Sequence, residues 1–553
     1  MIKQLTAKLD GRNMEDFEII DAILESRRIR DVAQFLKPTE DDMVPFDEML
    51  GLHEAYVMIE DAITMGEKFL VLADVDQDGC AANAIIVRYL RARGADVKCV
   101  INQGKEHGAE HFDVALLDDI DVMIIVDSLD NNPDVYRRIT DTNTQLCVFD
   151  HHIPERRLLE SNVPFVYVSS AHYYPNSELS GAGVCLKYAL YADYMNCDSY
   201  VDDLDLWLYG ALGIVADMCS MESPENRYIV HKGLNCFKHP IVKHAVGGYA
   251  FDSSAISFSV APLVNATIRT NNNSTAMNLF LTDDEDDIKQ IIGQMKGYRE
   301  FQNSVVDDLM KDLAMQAEFQ LNRKCMFFML PSDIDAEVSG LIANKLLSQY
   351  QRPLFVLRER IELDETTGEI TKHEYSGSMR AVGVTSFKDI VESVGIGWCQ
   401  GHDNAAGSGV DVNEFEDFKV AIEDALSDIT FEIAIEADIE LEPRQINEGL
   451  IKQMAAINRI SGSGFKPIKV LVRTTDYEVS TFSTQKHLKV IDESGLLIVQ
   501  WNTDVWKTMS NVGELIAVGT LSNPRYGKQN YLQLTVDEFT QQNELESNRN
   551  DIC

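Results

Sequence analysis

Short apolar segments that read as buried strands alternate with amphipathic stretches between residues 68 and 169. The strand-like segments are 68–76, 96–101, 121–127, 145–150 and 164–169, and residues 81–93 have the spacing of a helix. Strands joined by helices form a parallel sheet covered by helices. Such sheets bind their ligands at the carboxyl ends of the strands. The sequence therefore predicts an α/β fold with its site at that edge.

Acidic and imidazole side chains follow several of these strands. The candidate metal ligands and catalytic groups are Asp74, Asp76, Asp78, Asp127, Asp150, His151, His152 and Asp217. The segment DVDQDG also resembles the start of a calcium-binding EF-hand loop, but position 12 of that loop is Ile85 instead of Glu. Mixed carboxylate and imidazole ligands favour manganese or magnesium over zinc. We therefore predict a site for two divalent ions, Mn²⁺ or Mg²⁺.

Charge and cysteine usage narrow the class of protein. The 553 residues include 49 Lys and Arg and 89 Asp and Glu, a net charge of −40. Such a balance repels nucleic acid and anionic membranes over most of the surface, so any polyanion must meet a local basic groove. The ten cysteines are scattered, with no ligand-like spacing, as in a reducing cytoplasm. No segment has the length and apolarity of a signal peptide or membrane span.

The pattern divides the chain into five parts. A helical lead is predicted over 1–50, the α/β unit over 51–283, a connecting helix over 284–322, a second α/β unit over 323–430, and a small β-barrel with an acidic tail over 431–553. The connecting helix has apolar residues spaced by threes and fours, Val305 among them. In the barrel, Trp501 and Trp506 are assigned to the core.

Four segments resemble the signature motifs of the DHH phosphoesterase superfamily: DVDQDG, VDSLD, VFDHHIPE and ALGIVADMCSMESPENR. Further segments resemble the RecJ family of single-strand exonucleases: LSGAGVCLKYAL, SFSVAPLVNATIR, SGSMRAVG, QGHDNAAG and GELIAVGTLSNPRYGKQNYLQL. The resemblance implies that the first α/β unit is a DHH domain, the second a DHH-associated domain and the barrel an OB-fold.

The resemblance also implies roles for individual residues. The metal ligands would be Asp76, Asp78, Asp127, His151 and Asp217. His152 would face the scissile phosphate, and Asp150 would orient an imidazole. Many superfamily members have a histidine four residues before the first Asp of the DxD pair, where this chain has Leu72. Asp74 is the predicted substitute.

RecJ-like proteins hold substrate phosphate at residues that match the small-residue loops of this chain. The implied substrate-binding residues are Lys105, Arg269, Ser378, Arg380 and His402. Arg269 follows Ile268 where the family usually has glycine. Ser378, Arg380 and Arg269 are candidates for a pocket that binds the 5′-terminal phosphate.

The predicted function is that of a metal-dependent exonuclease that digests single-stranded DNA from the 5′ end, in DNA repair, recombination or replication. Two alternatives remain at this point: a phosphodiesterase for short oligonucleotides or cyclic dinucleotides, and a non-catalytic replication scaffold derived from the same fold. The implied partners are single-stranded DNA and a single-strand-binding protein or helicase. The chain is expected to be a cytoplasmic monomer that does not contact membranes.

Overall fold

The computed structural model describes residues 2–104, 106–171, 173–334, 338–364, 368–482, 486–503, 505–526 and 529–542. Within these ranges the protein is a mixed α/β structure with a parallel five-stranded sheet, a second five-stranded sheet and an eight-stranded sheet. The predicted α/β fold class is confirmed.

The lead begins with a strand, not a helix. The elements of this part are β1 (Ile2–Asp10), α1 (Asp16–Ser26) and α2 (Val32–Leu36). The prediction of a helical lead is therefore wrong for its first residues. Leu5 is buried between exposed Gln4 and Thr6, the period of two typical of a half-buried strand. This strand pairs in parallel with a strand more than 400 residues further along the chain.

The first α/β unit contains the parallel sheet. Its strands are β2 (Lys68–Ala73), β3 (Asp96–Ile101), β4 (Val122–Val126), β5 (Gln145–Asp150) and β6 (Val166–Ser169), in the order β3-β2-β4-β5-β6. All four pairings are parallel. The chain crosses over between β2 and β4, so their carboxyl ends border the point where such sheets bind ligands.

Helices surround this sheet. They are α3 (Leu52–Met65), α4 (Gln77–Ala92), α5 (Pro133–Thr140), α6 (Arg156–Leu159), α7 (Gly181–Asn196), α8 (Tyr200–Asp203), α9 (Leu206–Ala216), α10 (Pro224–Leu234), α11 (Pro240–Ala245), α12 (Ser253–Ala255), α13 (Ala261–Arg269) and α14 (Asn273–Leu281). A π-helical turn, Ile256–Val260, links α12 to α13. Helices α4, α7 and α9 pack on one another and are largely buried.

The connecting helix α15 (Glu285–Glu318) matches the predicted helix closely. Asp284 caps its N-terminus by accepting hydrogen bonds from the amides of Asp286 and Asp287. Its buried side chains continue from the core of the first unit into that of the second, and they include Val306 where the sequence suggested Val305.

The second α/β unit is built on the sheet β10-β11-β9-β8-β7. Its elements are β7 (Met326–Met329), α16 (Ser339–Tyr350), β8 (Leu354–Leu363), β9 (Ile370–Arg380), α17 (Phe387–Val394), β10 (Trp398–His402), β11 (Ala405–Asp411) and α18 (Phe415–Ala425). Strands β8 to β11 are antiparallel, and only β7 and β8 run in parallel.

The C-terminal unit forms the eight-stranded sheet, in the order β1-β12-β13-β17-β20-β16-β15-β14. Its elements are β12 (Glu432–Leu441), α19 (Glu448–Asn458), β13 (Val470–Thr474), β14 (Tyr477–Thr481), β15 (Leu488–Asp492), β16 (Leu497–Gln500), β17 (Glu514–Ser522), β18 (Arg525–Tyr526), β19 (Gln529–Asn530) and β20 (Gln533–Gln542). The predicted short strands are present. The assignment of this unit as an OB-fold stays a prediction, as do the domain boundaries.

The first and C-terminal units share one hydrophobic core. Arg27, the residue after α1, forms a paired ion bridge with Asp438 of β12, with hydrogen bonds of 2.8 and 2.7 Å. The buried Arg227 guanidinium donates to the carbonyls of Phe35, Met221 and Ile460, which come from the lead, the first unit and the C-terminal unit. These contacts make the two ends of the chain part of the structure around the site.

Helix length and the state of the cysteines bear on two further predictions from the sequence. None of the helices in the described ranges is long and apolar enough to span a membrane. The nine cysteines that the structure describes are all free thiols.

The buried ion pair between α7 and α10 generates a stability prediction. Lys187 and Glu225 are each 1% exposed and lie 2.8 Å apart. Replacing one partner leaves a buried charge uncompensated, so we expect Lys187→Met to lower the free energy of unfolding by about 3 kcal/mol. The double variant Lys187→Met/Glu225→Gln removes both charges and should lose less. Denaturant unfolding followed by circular dichroism compares them, and equal loss in both would contradict this account.

Candidate metal centre

The first acidic group follows strand β2. Asp74 is buried at the strand end, and its backbone amide donates to the Val126 carbonyl of β4, which links the two central strands. Asp76 then caps helix α4, because its Oδ1 accepts a hydrogen bond of 3.0 Å from the amide of Gly79. This cap leaves the partly exposed Asp76 carboxylate at the edge of the sheet.

Asp78, in the first turn of α4, binds the N-terminus of α7. Its Oδ1 accepts from Ser180 Oγ at 2.9 Å and from the Ala182 amide at 3.0 Å, and its Oδ2 accepts from the Gly181 amide at 2.7 Å. Free amides at a helix N-terminus favour negative charge. The buried carboxylate is thus fixed by three donors on one neighbouring helix.

Asp127 follows strand β4 in a left-handed conformation, with φ of 57°. Its amide donates to the Phe149 carbonyl at 2.8 Å, which holds this turn against β5. A non-glycine residue in this region is uncommon and marks functional sites. Asp127 Oδ1 is buried and accepts no hydrogen bond from the described residues, so it is ready to receive a cation.

The triplet Asp150, His151 and His152 lies at the carboxyl end of strand β5. Asp150 is fully buried, and its Oδ1 accepts from the amides of His151 and His152 and from His152 Nδ1 at 2.7 Å. The His151 ring lies beside that of His152, with Nε2 at 3.4 Å from Asp127 Oδ1 and 3.7 Å from Asp217 Oδ2. Asp150 therefore orients His152, while His151 lies among carboxylates.

Asp217 reaches the site from outside the sheet. It ends helix α9, and the next residue, Met218, has φ of 57°, which turns the chain sharply away from the helix. The following loop is held by the C-terminal unit, since the Met221 amide donates to the Ser463 carbonyl at 2.8 Å. The position of this ligand thus depends on residues far along the chain.

Burial dominates the electrostatics of the cluster. It raises the pKa of Asp78 and Asp127 well above the usual range, and the neighbouring carboxylates raise both further. Burial also raises the pKa of Asp217 and lowers that of His151. In contrast, the hydrogen bond from Asp150 raises the pKa of His152 to about 9. The hydrogen bond with Asp74 likewise raises the pKa of His107.

Three groups of these side chains place ligand atoms within 4.8 Å of one another, close enough to hold a metal ion. The groups are Asp127 with Asp150, His151 and His152; Asp78 with His151 and Asp217; and Asp74 with Asp76 and Asp127. The shared residues Asp127 and His151 join the groups into one centre. Its donors are mostly carboxylate oxygens with imidazole nitrogen, which suits Mn²⁺ or Mg²⁺. The chemistry of the donors and the unsatisfied Asp127 Oδ1 fit such ions.

His107 is a site residue that the sequence analysis missed. Its Nδ1 lies 2.7 and 3.0 Å from the two oxygens of Asp74. It lines a cavity of about 350 Å³ together with the metal-centre residues and with Gly108, Ser128, Leu129 and Asp130. Only the polar character of the loop after β3 could have indicated it, because a loop has no periodicity to read.

The second unit brings together three of the predicted substrate-binding residues. In the sheet register, Arg380 is opposite Ala405, which in turn is opposite His402. Ser378 Oγ contacts Ser339 Oγ at 2.9 Å at the start of α16, and Arg380 Nε donates to Asn344 Oδ1 at 2.8 Å. The cluster thus combines hydroxyl groups and a guanidinium beside a helix N-terminus, a combination suited to phosphate.

The other two predicted substrate-binding residues are elsewhere. Arg269 ends helix α13 in the first unit. The turn after it packs on the loop at 102–104, where Asn273 Nδ2 donates to the carbonyls of Asn102 and Gly104. Lys105 lies outside the described residues. A pocket that combines Arg269 with Ser378 and Arg380 therefore stays a prediction.

Trp501 is not a core residue. It is 41% exposed and stacks on Phe482 at 5.5 Å between ring centroids, with the His487 ring edge-on at 4.9 Å. Lys489 Nζ lies 5.7 Å over the Phe482 ring. The assignment of Trp501 to the core was wrong, because an indole at the end of a short strand can stack on loop aromatics instead of turning inward.

Known proteins of similar sequence and fold include DHH-family proteins and single-strand exonucleases. Residues 68–210 match the DHH family, N-terminal domain. The SPbeta prophage-derived protein YorK of Bacillus subtilis, named as a single-strand DNA-specific exonuclease, is 25% identical over 509 residues, 85% of each chain. The single-stranded-DNA-specific exonuclease RecJ of Thermus thermophilus is 26% identical over 390 residues, 68% of this chain and 54% of that protein. The crystal structure of Thermus RecJ in complex with Mn²⁺ has a TM-score of 0.75 and 22% identity, over 98% of this chain and 80% of the other.

Residues 68–210 thus match the DHH family, N-terminal domain, and they carry the strand-end carboxylates Asp74, Asp76, Asp78, Asp127 and Asp150. The fold of the chain is similar to that of Thermus RecJ, and its sequence is similar to that of YorK over 85% of its length.

The close contact between α7 and Asp127 generates a prediction for metal binding. A Cβ atom added at Gly181 would lie 2.3 Å from Asp127 Oδ1, so Gly181→Ala must displace that carboxylate. We expect Mn²⁺ affinity to fall by about 10-fold or more, as for other changes that disturb ligand orientation. Mn²⁺ titration checks this. Gly293→Ala, in helix α15 with open space around its Cβ, is the control and should bind Mn²⁺ normally. Unchanged affinity in Gly181→Ala would contradict the assignment of Asp127.

Proposed function

We propose that this protein is a metal-dependent exodeoxyribonuclease that hydrolyses phosphodiester bonds of single-stranded DNA from the 5′ end. The observation that carries the proposal is the cluster of buried carboxylates and imidazoles at the carboxyl edge of a parallel sheet, in a RecJ-like chain. Two bound Mn²⁺ or Mg²⁺ ions would supply an acidified water and neutralise charge on the phosphate oxygens.

The chain's own residues have separate tasks in this proposal. Asp76, Asp78, Asp127, His151 and Asp217 would hold the ions, and Asp74 would complete the group beside β2. Asp150 fixes the ring of His152 through Nδ1, and the His152 side chain is 59% exposed. His152 is therefore free to contact the scissile phosphate, whereas the buried Asp150 is a positioning residue.

The second unit would bind the strand terminus. Ser378, Arg380 and His402 lie at one end of adjacent strands, and burial lowers the pKa of the Arg380 guanidinium. The Arg380 guanidinium donates to two neutral acceptors, Asn344 Oδ1 and the Met379 carbonyl. A bound anion would add a charge-assisted hydrogen bond. Arg269 and Lys105 would approach the same phosphate from the first unit. A pocket for a terminal phosphate accounts for exonucleolytic action, because a strand without an end cannot fill it.

The longer strand would continue toward the C-terminal unit. The exposed stack of Trp501, Phe482 and His487, with Lys489 beside it, has the aromatic faces and positive charge that bind single strands. This feature favours long strands over dinucleotides. The predicted OB-fold assignment of the unit agrees with that use.

We further propose that the protein acts in the cytoplasm as a monomer during DNA repair, recombination or replication. The free thiols suit a reducing compartment. The net charge of −40 favours a partner with a basic surface, such as a single-strand-binding protein or helicase that presents one.

The catalytic assignment predicts the outcome of one isosteric substitution. Asp127→Asn removes a charge from the centre, so we expect Mn²⁺-dependent release of nucleotides from single-stranded DNA to fall by at least 1,000-fold, about 4 kcal/mol of transition-state stabilisation. Asp134→Asn, an exposed carboxylate in α5, is the control and should retain full activity. Retention of most activity in Asp127→Asn would overturn the proposed centre.

The direction of digestion is tested with single strands labelled at the 5′ or the 3′ end. We expect the 5′ label to be released first, a closed circular strand to resist digestion, and a dinucleotide to be a poorer substrate than a long strand. Arg380→Ala should weaken binding of 5′-phosphorylated strands by about 10-fold, because a charge-assisted hydrogen bond is lost. Arg358→Ala, in neighbouring strand β8, is the control. Release of the 3′ label first, or rapid cutting of the circle, would refute the pocket.

A further inference from the structure

Two histidines of the centre are held in the same way. His152 Nδ1 lies 2.7 Å from buried Asp150, and His107 Nδ1 lies 2.7 Å from buried Asp74. Both side chains are more than half exposed, at 59% and 61%. Both line the cavity beside the metal ligands. Asp150–His152 and Asp74–His107 are thus two carboxylate–imidazole pairs around one cavity.

The contact with Asp74 determines which nitrogen of His107 is available. A carboxylate accepts hydrogen bonds, so the Nδ1 of His107 carries the hydrogen and the Asp74 oxygens accept it. His107 Nε2 makes no hydrogen bond to the part of the chain that the structure describes. The exposed ring therefore has one nitrogen fixed and the other open to the cavity.

The loop around His107 is held by hydrogen bonds of its neighbouring residues as well. The Gly108 amide donates to Ser128 Oγ at 2.7 Å, the Ala109 amide donates to Asp130 Oδ2 at 2.7 Å, and Asn102 Nδ2 donates to the Gly108 carbonyl at 2.8 Å. Gly108 has φ of 73°, and an added Cβ would lie 2.7 Å from Asp130. The loop is thus braced on both sides of Gly108, and it presents His107 at a set position.

We propose that His107 is a further substrate-contacting residue, whose Nε2–H donates a hydrogen bond to a phosphate oxygen of the strand in the cavity that His107 and His152 both line. Asp74 then acts on the substrate through His107, as Asp150 does through His152. This inference rests on the proposed function, since it requires a phosphodiester in the cavity. It gives an acidic centre a second imidazole N–H donor that faces the anionic substrate.

The competing explanation is that His107 only orients Asp74 for metal binding. Two substitutions separate these roles, because the amide of asparagine can replace Nδ1 and that of glutamine can replace Nε2. His107→Asn keeps a donor toward Asp74 and loses the group that faces the cavity. His107→Gln keeps a polar group near the Nε2 position and loses the bond to Asp74. His111→Asn, an exposed histidine further along the same loop, is the control.

The experiment measures two affinities for each variant. Strand affinity is the Kd for a 5′-phosphorylated single strand with Ca²⁺ in place of Mn²⁺, after a check that no cleavage occurs. Metal affinity is measured by Mn²⁺ titration without DNA. We expect His107→Asn to raise the strand Kd about 10-fold and to leave Mn²⁺ affinity within two-fold. His107→Gln should bind the strand more tightly than His107→Asn, and His111→Asn should match the wild type.

Each other outcome has a definite meaning. Wild-type strand affinity in His107→Asn overturns the contact. A parallel loss of Mn²⁺ affinity in His107→Gln, with normal behaviour of His107→Asn, assigns His107 to metal positioning and also overturns it. If the wild type binds and cleaves the strand while His107→Asn binds normally, only this inference fails. If the wild type binds neither a strand nor a dinucleotide, the proposed function fails with it.

Discussion

The structure around the site depends on placing several carboxylates close together in a buried position. Two unit charges 4.8 Å apart repel by about 3 to 4 kcal/mol at an effective dielectric constant of about 20. Asp78 is compensated by the N-terminus of α7, and Asp150 by two amides and an imidazole. Among the described residues, Asp127 Oδ1 and Asp150 Oδ2 are buried without a hydrogen-bond partner. The fold thus gives Asp78 donors on both oxygens and leaves an oxygen of Asp127 and one of Asp150 for cations.

The same constraint explains why the ends of the chain pack against the first unit. Asp217 comes from a helix end and not from the sheet, so the loop after it needs a support of its own. That support is the Ser463 carbonyl and the Arg227 guanidinium, which binds Met221 and Ile460 while stacking on Phe35 at 3.5 Å. Strand β1 closes the arrangement by pairing with β12. The loop after Asp217 is therefore supported by the lead and by the C-terminal unit.

Local sequence patterns were sufficient to predict the parallel sheet of the first unit. A buried strand followed by aspartate is a signal contained within a few residues, so the parallel sheet and most of the strand-end groups could be predicted. The unpredicted features depend on distant partners. Residues 2–10 form a strand because they pair with β12. The Trp501 ring lies at the surface because it stacks on Phe482 and contacts His487 there. His107 lies in a loop, and only the fold brings it to Asp74.

The acidity of the chain bears on how a polyanion reaches this centre. A net charge of −40 slows the approach of DNA and weakens non-specific binding, since both depend on the long-range field. Capture must then rely on short-range contacts, which salt screens least when they are partly buried. The half-buried Arg380, the histidines fixed by carboxylates and the stacked rings of the C-terminal unit are the groups that the proposed function assigns to such contacts. Stacking is independent of net charge, so an acidic protein can hold a strand by its bases and its terminus while the rest of its surface repels the backbone.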